Sequence, residues 1–321
     1  MNLYANAASF TASFIFLVLV TLILRHRGVI SKTDAPLIAR LTVNFILPAL
    51  LVSKLIYIQL SPHVLFVSSL IIVAECLVGM TAYLVGRYLL KLPRPSLGVF
   101  ILCCTFGSTA ILGTAFITAI FDQDKSAVAY SLVISQISTG VPAYILFPLI
   151  SSHFGESSGK DETAWERARN ILFSPTVLAI IFGLGWSALG LPTSGTIVTP
   201  FVNAANFVGM GLVLMVALLN GLSLDRIPLR RNILTVGCCV LCLLLTEPML
   251  VYALGKIFDI PMRDRQISFI LSGMPSANST IAFAIRYKCD AKLAAVLVTS
   301  TAIVGAISLP TLMANLSIFA Q

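Results

Sequence analysis

Two stretches of this chain place glycine, proline and small polar residues inside otherwise apolar sequence. One covers residues 105–114 and the other residues 272–280. Glycine raises the backbone entropy cost of a helix, proline removes a helical hydrogen bond, and hydroxyl side chains compete for backbone groups. We therefore expect a broken helix at each stretch. The residues with which these breaks would bind a ligand are Gly107, Ser108, Thr109, Pro275, Ser276, Asn278 and Ser279.

A broken helix at membrane depth would expose backbone N–H groups that are paired within an intact helix. Unwound backbone persists there only where it is buried in protein or lines a wet cavity. Each break starts a half-helix whose first N–H groups are free and whose N-terminal end is positive, a combination that binds anions. Two such ends that converge would hold a carboxylate. The alternative, a kink or close packing by small residues, explains one break better than two in corresponding positions.

Two acidic residues, Glu75 and Glu247, lie deep in apolar sequence. Carboxylates inside a membrane are costly to bury and are usually functional. We assign both as candidate carriers of a coupling proton. The alternative is a neutral, hydrogen-bonded glutamate at a helix contact. Pro248 follows Glu247 directly, which favours a kink at that position.

Other polar residues add to the candidate cavity, but no catalytic pattern does. We expect Asn44 and Gln136 to line the cavity from neighbouring helices, and we assign Asn203 and Asn206 to helix packing. The chain lacks HExxH and phosphate-loop motifs, and its histidines and cysteines lack metal-ligand spacing. The sequence therefore predicts no enzyme, no ATP-driven pump and no metal or organic cofactor, while a coupling proton or sodium ion is left open.

The elements that must position these residues are membrane helices. Apolar residues make up 58% of the chain and charged residues 11%, and the mean hydropathy is +0.97. A soluble protein carries roughly 25% charged residues. The net charge of +8 is assigned to basic cytoplasmic loops, because no basic run is interleaved with aromatic residues as in a nucleic-acid site.

Ten apolar spans are predicted, and their loops orient the chain. The spans are roughly 7–24, 37–55, 64–86, 96–121, 126–150, 172–190, 196–222, 232–256, 266–287 and 291–316. Five alternate loops hold 16 of the 21 Lys and Arg residues, and basic loops face the cytoplasm. The prediction is a multi-pass protein of the cell membrane with both termini outside.

The two halves of the chain share short matching segments. The pairs are 83–87 with 252–256, 44–45 with 206–207, and Glu75 with Glu247. We therefore predict a first five-helix repeat over residues 1–150, a cytoplasmic linker over 151–170 and a second repeat over 171–321. Because each repeat has an odd number of spans, the second would be inverted in the membrane, an arrangement typical of transporters.

Several short motifs follow one another in a distinctive order. They are Asn44–Leu51, Phe106–Thr109 with Gly113, Ser174–Pro175, Gly221–Leu224, Gly273–Asn278, Ala282, Arg286–Tyr287, Asp290–Ala291 and Leu293–Ala295. Their order resembles the auxin efflux carrier family in its compact bacterial form, over essentially the whole chain. The resemblance implies ten helices in two inverted repeats, a scaffold domain and a transport domain each built from both repeats, and helices four and nine that cross. Thr114 stands where similar sequences often have proline.

The resemblance also implies transport of organic anions. The predicted function is secondary active transport, by alternating access, of a small carboxylate such as malonate or an auxin-like acid, with proton symport as one form of coupling. A sodium-coupled symporter of the bile-acid type, a relative within the broader fold, is one alternative, and a non-transporting membrane receptor is another. The expected partners are the organic anion and the lipid bilayer, with a homodimer left open. The expected location is the bacterial inner membrane.

Overall fold

The computed structural model describes residues 3–58, 61–109, 113, 117, 125–155, 169, 172–223 and 229–316, and these form an all-helical structure. The helices in these ranges are α1 (Leu3–His26), α2 (Ala35–Leu41), α3 (Leu47–Leu55), α4 (Pro62–Leu84), α5 (Arg94–Thr105), α6 (Lys125–Ser135), α7 (Val141–Phe154), α8 (Pro175–Ala188), α9 (Val198–Ser223), α10 (Leu229–Leu241), α11 (Glu247–Ile257), α12 (Met262–Ser272), α13 (Ser279–Arg286) and α14 (Ala291–Leu316). A 3₁₀ turn at Lys32–Asp34 leads into α2.

Wide π-helical turns interrupt several of these helices. They lie at Thr42–Ile46 between α2 and α3, Val85–Leu89 after α4, Gln136–Gly140 between α6 and α7, and Cys242–Thr246 between α10 and α11. Three of them are followed two residues later by a proline, namely Pro48, Pro142 and Pro248. A proline ring clashes with the carbonyl four residues back and cannot donate to it. The wide turn relieves that clash, so the prolines explain where the continuous segments bend.

The structure supports a multi-pass membrane protein. Among the described residues, six helical segments are long and apolar enough to cross a membrane: Lys32–Leu55, Pro62–Leu89, Tyr130–Phe154, Val198–Ser223, Asn232–Ile257 and Ala291–Ser308. Shorter apolar helices cover Ile15–His26, Arg94–Thr105 and Pro175–Ala188. The predicted fourth and ninth spans do not count as long helices because each is broken, and a continuous span needs about 20 residues. The arrangement of ten spans in two inverted repeats therefore stays a prediction.

Two sets of helices meet around the broken segments. Helix α3 packs against α8 and α9, and α9 also packs against α1. On the other side, α4 packs against α5 and α11, while α5 also contacts α7 and α14. The largest buried apolar cluster draws on α5, α9, α13 and α14, so the broken segments sit in the protein interior.

Two sequence predictions fall where the description has gaps. Most of the predicted linker over 151–170, namely 156–168 and 170, lies outside the described residues, and so does Thr114.

Candidate functional site

The two broken segments pair with each other through their backbones. Helix α5 ends at Thr105 and continues into extended backbone at Phe106, with φ −113° and ψ 116°. Helix α12 ends at Ser272, and α13 begins only at Ser279. Between these ends, Gly107 and Ser276 form an isolated antiparallel bridge. The Ser108 amide donates to the Pro275 carbonyl over 2.7 Å, and the Ala277 amide donates to the Phe106 carbonyl over 2.8 Å. Both predicted breaks are therefore present, and we call their meeting point the crossing.

Close packing holds the crossing in place. A Cβ atom added to Gly107 would lie 2.9 Å from the Met274 carbonyl oxygen, so only glycine allows the two backbones to approach this closely. The Ser276 hydroxyl donates to the Cys103 carbonyl over 2.7 Å, and its amide donates to the Thr301 hydroxyl over 3.2 Å. These bonds satisfy buried polar groups, so Ser276 braces the crossing.

A small buried cavity lies against the crossing. Of the sequence-predicted residues, those that line it are Gly107, Ser108, Thr109, Asn278 and Ser279. The cavity has a volume of about 50 Å³, which is room for a carboxylate group but less than the 300–1,000 Å³ of a drug-sized site. The described residues that line it contribute hydroxyl, amide and apolar groups but no Asp or Glu. A partly polar lining without negative charge on its described residues suits the charged end of a small anion.

Asn278 precedes the first residue of α13. An asparagine at this position usually accepts a hydrogen bond from a backbone amide of the first turn. Here the side chain makes no such capping bond and lines the cavity instead. In the first turn, the Thr280 and Ile281 amides already donate to the Ala277 and Asn278 carbonyls, over 3.1 and 3.3 Å. The Asn278 side chain is thus available to a ligand.

Several lining residues were not predicted from the sequence. Thr139, Tyr144 and Phe147 reach the cavity from the wide turn and α7, and Leu212 reaches it from α9. The Tyr144 hydroxyl lies near the Ser279 side chain. The Phe147 ring packs edge-on against Phe106 at 5.4 Å between ring centroids. The one available signal was Gly140–Val141–Pro142, because a proline that bends a membrane helix often marks a cavity wall.

The two candidate coupling residues lie on neighbouring helices. Glu75 and Glu247 are each 2% exposed, and their helices, α4 and α11, pack against each other. The Thr139 hydroxyl donates to Glu75 Oε1 over 2.6 Å. Because Thr139 also lines the cavity, its hydroxyl group connects Glu75 to the cavity wall. The wide turns at Gln136–Gly140 and Cys242–Thr246 both pack against α4 near this pair.

The remaining predicted site residues lie elsewhere. The Asn44 side chain is exposed and accepts a hydrogen bond from Arg286 Nη1 over 2.6 Å, and Asn44 is absent from the cavity lining. Pro275 contributes its backbone carbonyl, while its ring packs against α14 at Gly305. Gln136 lines a second cavity, together with Asn203 and Asn206. These two asparagines were assigned to packing, and the structure shows that they also face this cavity.

Within the described ranges, no group of three or more His, Cys, Asp or Glu residues is placed to hold a metal ion. The five cysteines of α5 and α10–α11 are free thiols.

The apolar helical segments define the class of this protein as a multi-pass membrane protein, with a buried, backbone-paired crossing in its interior. The chain belongs to the membrane transport protein family, whose model matches residues 11–313. This confirms the resemblance to auxin efflux carriers.

The protein is similar to an uncharacterized transporter of Methanocaldococcus jannaschii, 22% identical over 296 residues, which covers 89% of this chain and 92% of the relative. It is also similar to an uncharacterized transporter of Methanothermobacter thermautotrophicus, 23% identical over 314 residues, 96% of this chain and 98% of the relative. These matches point to a transporter, not an enzyme.

Proposed function

We propose that this protein is a secondary active transporter that carries a small organic anion by alternating access. The substrate carboxylate binds at the crossing, where the start of α13 and the Asn278 amide face the cavity. The observation that carries this proposal is the Asn278 side chain, which lines a buried cavity without capping its own helix.

The chemistry of the cavity favours an anion. Helix N-termini and backbone N–H groups stabilise negative charge, and the part of the lining that the structure describes has no carboxylate to repel it. The hydroxyl groups of Ser108, Thr109 and Ser279 orient the carboxylate oxygens. Because the cavity is small, it takes the head group, and the rest of the substrate extends beyond it.

The carboxyl pair supplies the coupling. Charged carboxylates are costly inside a membrane, and Glu75 and Glu247 are both buried, so we propose that the pair exchanges a proton. Movement of Thr139 with the cavity wall would change the hydrogen bond to Glu75 and so link substrate occupancy to protonation. Sodium coupling is the competing proposal. Transport that persists in sodium-free buffer would favour proton coupling over sodium coupling.

The proposed arrangement is ten spans in two inverted repeats, with both termini outside the cell membrane. It is supported by the 16-to-5 division of basic residues between the two sets of loops. It is also supported by the pairing of the fourth and ninth segments, which would be equivalent elements of the two repeats.

The test is counterflow in liposomes. A thermal-shift screen of small carboxylates first selects a ligand, since a compound that binds the native state raises the unfolding temperature. Liposomes preloaded with that compound should then accumulate its radiolabelled form transiently, at a rate that empty liposomes do not reach. Binding without counterflow would identify a receptor. If no carboxylate binds while compounds of another charge do, the assignment to organic anions is wrong.

A further inference from the structure

The second cavity, which we call the antechamber, lies between α3, α6 and α9. Its volume is about 360 Å³, which is larger than that of the crossing cavity. One part of its wall is polar and holds Lys54, Gln136, Asn203 and Asn206, while Leu132 and Val202 contribute an apolar part. A cavity of this size and mixed polarity fits a small amphipathic molecule.

The charge in the antechamber has one sign. Lys54 Nζ donates to Asn206 Oδ1 over 3.1 Å, and an ammonium group has three donors. Among the described residues that line this cavity, none is an Asp or Glu. A cation next to low-dielectric walls, without an acidic neighbour in the lining, raises the local concentration of anions.

The antechamber and the crossing cavity are stacked along the same three segments. On α3, Lys54 and Leu50 line the two cavities in turn, and four helical residues correspond to about 6 Å along the axis. In the wide turn, Gln136 faces the antechamber and Thr139 faces the crossing cavity. On α9, residues within 202–206 line the antechamber, and residues within 212–216 line the crossing cavity. A ligand in the antechamber is therefore adjacent to the crossing.

We infer that the antechamber is a separate binding site for an organic anion that arrives from solution, in which Lys54 and Asn206 hold the carboxylate. The apolar part of the wall receives the body of the ligand, so the site selects a carboxylate joined to an apolar chain. The role of the site as the access route to the crossing rests on the proposed transport function, whereas binding at Lys54 does not depend on it.

Hexanoate is a suitable probe, measured by calorimetry on the protein in phosphatidylcholine nanodiscs, with empty nanodiscs as the blank. The experiment uses the Asn278→Ala variant so that binding at the crossing is weakened first. Lys54→Gln added to this variant should weaken hexanoate binding roughly tenfold or more, because it removes a charge-assisted hydrogen bond. Lys54→Arg should retain binding, and hexanol, which has no charge, should not show the Lys54 dependence.

Lys256→Gln is the matched control, because Lys256 is an exposed lysine near the end of α11 that lines neither cavity. Equal hexanoate affinity in the Lys54→Gln and Lys256→Gln variants, at unchanged unfolding temperatures, would overturn the inference. So would a Lys54-dependent retention of phosphatidylglycerol with no hexanoate binding, since the site would then hold a lipid head group. Loss of counterflow with hexanoate binding intact would contradict only the proposed transport function.

Discussion

Asn278 supplies the amide side chain that lines the crossing cavity. It is half-buried, precedes the first residue of α13 and faces the cavity. An amide donates and accepts, so it can bind a carboxylate with its NH₂ group while its oxygen accepts from a neighbouring hydroxyl. A residue that capped its own helix would have little capacity left for a ligand.

Asn278→Ala is therefore expected to weaken ligand binding by about 1–3 kcal/mol, or roughly 5-fold to 150-fold. The unfolding temperature should change little, because the variant removes no capping bond. Asn44→Ala is the matched control: Asn44 bonds to Arg286 and lies outside the cavity, so its variant should bind ligand normally. Calorimetry of both variants checks this, and equal affinities would remove Asn278 from the site.

Residue types predicted part of the lining of the crossing cavity. Asn44 and Gln136, which were expected in the same lining, lie elsewhere. Gly107, Ser108, Thr109, Asn278 and Ser279 could be found because they interrupt apolar helices, which is a local signal. Thr139, Tyr144 and Phe147 could not, because a threonine or an aromatic residue in a membrane helix is ordinary until its neighbours are known. The long-range pairing of Lys54 with Asn206, 152 positions apart, is likewise invisible in a single sequence.

At the scale of elements, α14 braces the crossing. Thr301 accepts from the Ser276 amide over 3.2 Å, and Gly305, one turn further on, packs against the Pro275 ring. The bends of the other helices could be predicted from Pro48, Pro142 and Pro248, because proline acts locally. The bracing by α14 could not be predicted, because it depends on which helix lies behind the break.

Gly305→Ala should destabilise the protein. The added Cβ would lie 2.7 Å from Pro275 Cγ, and overpacking of this kind typically costs about 1–3 kcal/mol. Gly237→Ala in α10 is the control, because its Cβ would meet nothing within 4 Å and alanine improves helix propensity by about 1 kcal/mol. Unfolding temperatures in detergent should fall for the first variant and hold or rise for the second. A Gly305→Ala protein as stable as the wild type would show that Pro275 moves aside freely.

At the scale of the whole molecule, charge sets the orientation. The loops that hold 16 of the 21 basic residues should face the cytoplasm, so both termini should lie outside. A reporter enzyme that is active only outside the cytoplasm, fused after Gln321, is expected to be active, and the same reporter inserted between residues 160 and 161 is expected to be silent. The opposite pattern would reverse the proposed orientation.

Coupling also belongs to the whole molecule, because it requires the carboxyl pair to be reached from alternate sides in the two states. Glu75 lies on α4 and Glu247 at the start of α11, two helices that pack against each other, and Glu75 accepts a hydrogen bond from Thr139 in the cavity wall. Glu→Gln keeps the shape of the side chain and fixes it in a neutral form. Glu75→Gln and Glu247→Gln proteins should therefore still bind substrate and exchange it across a liposome membrane.

What these variants should lose is accumulation driven by a pH gradient, because no proton can be taken up or released at the altered position. Asp264→Asn is the control: it makes the same acid-to-amide change at a residue that bonds to His63, at 2.8 Å, and lines neither cavity. It should accumulate substrate like the wild type. Uptake is measured in sodium-free liposomes with an imposed pH gradient. If the double variant Glu75→Gln/Glu247→Gln accumulates substrate with wild-type pH dependence, the pair is structural and the driving ion binds elsewhere.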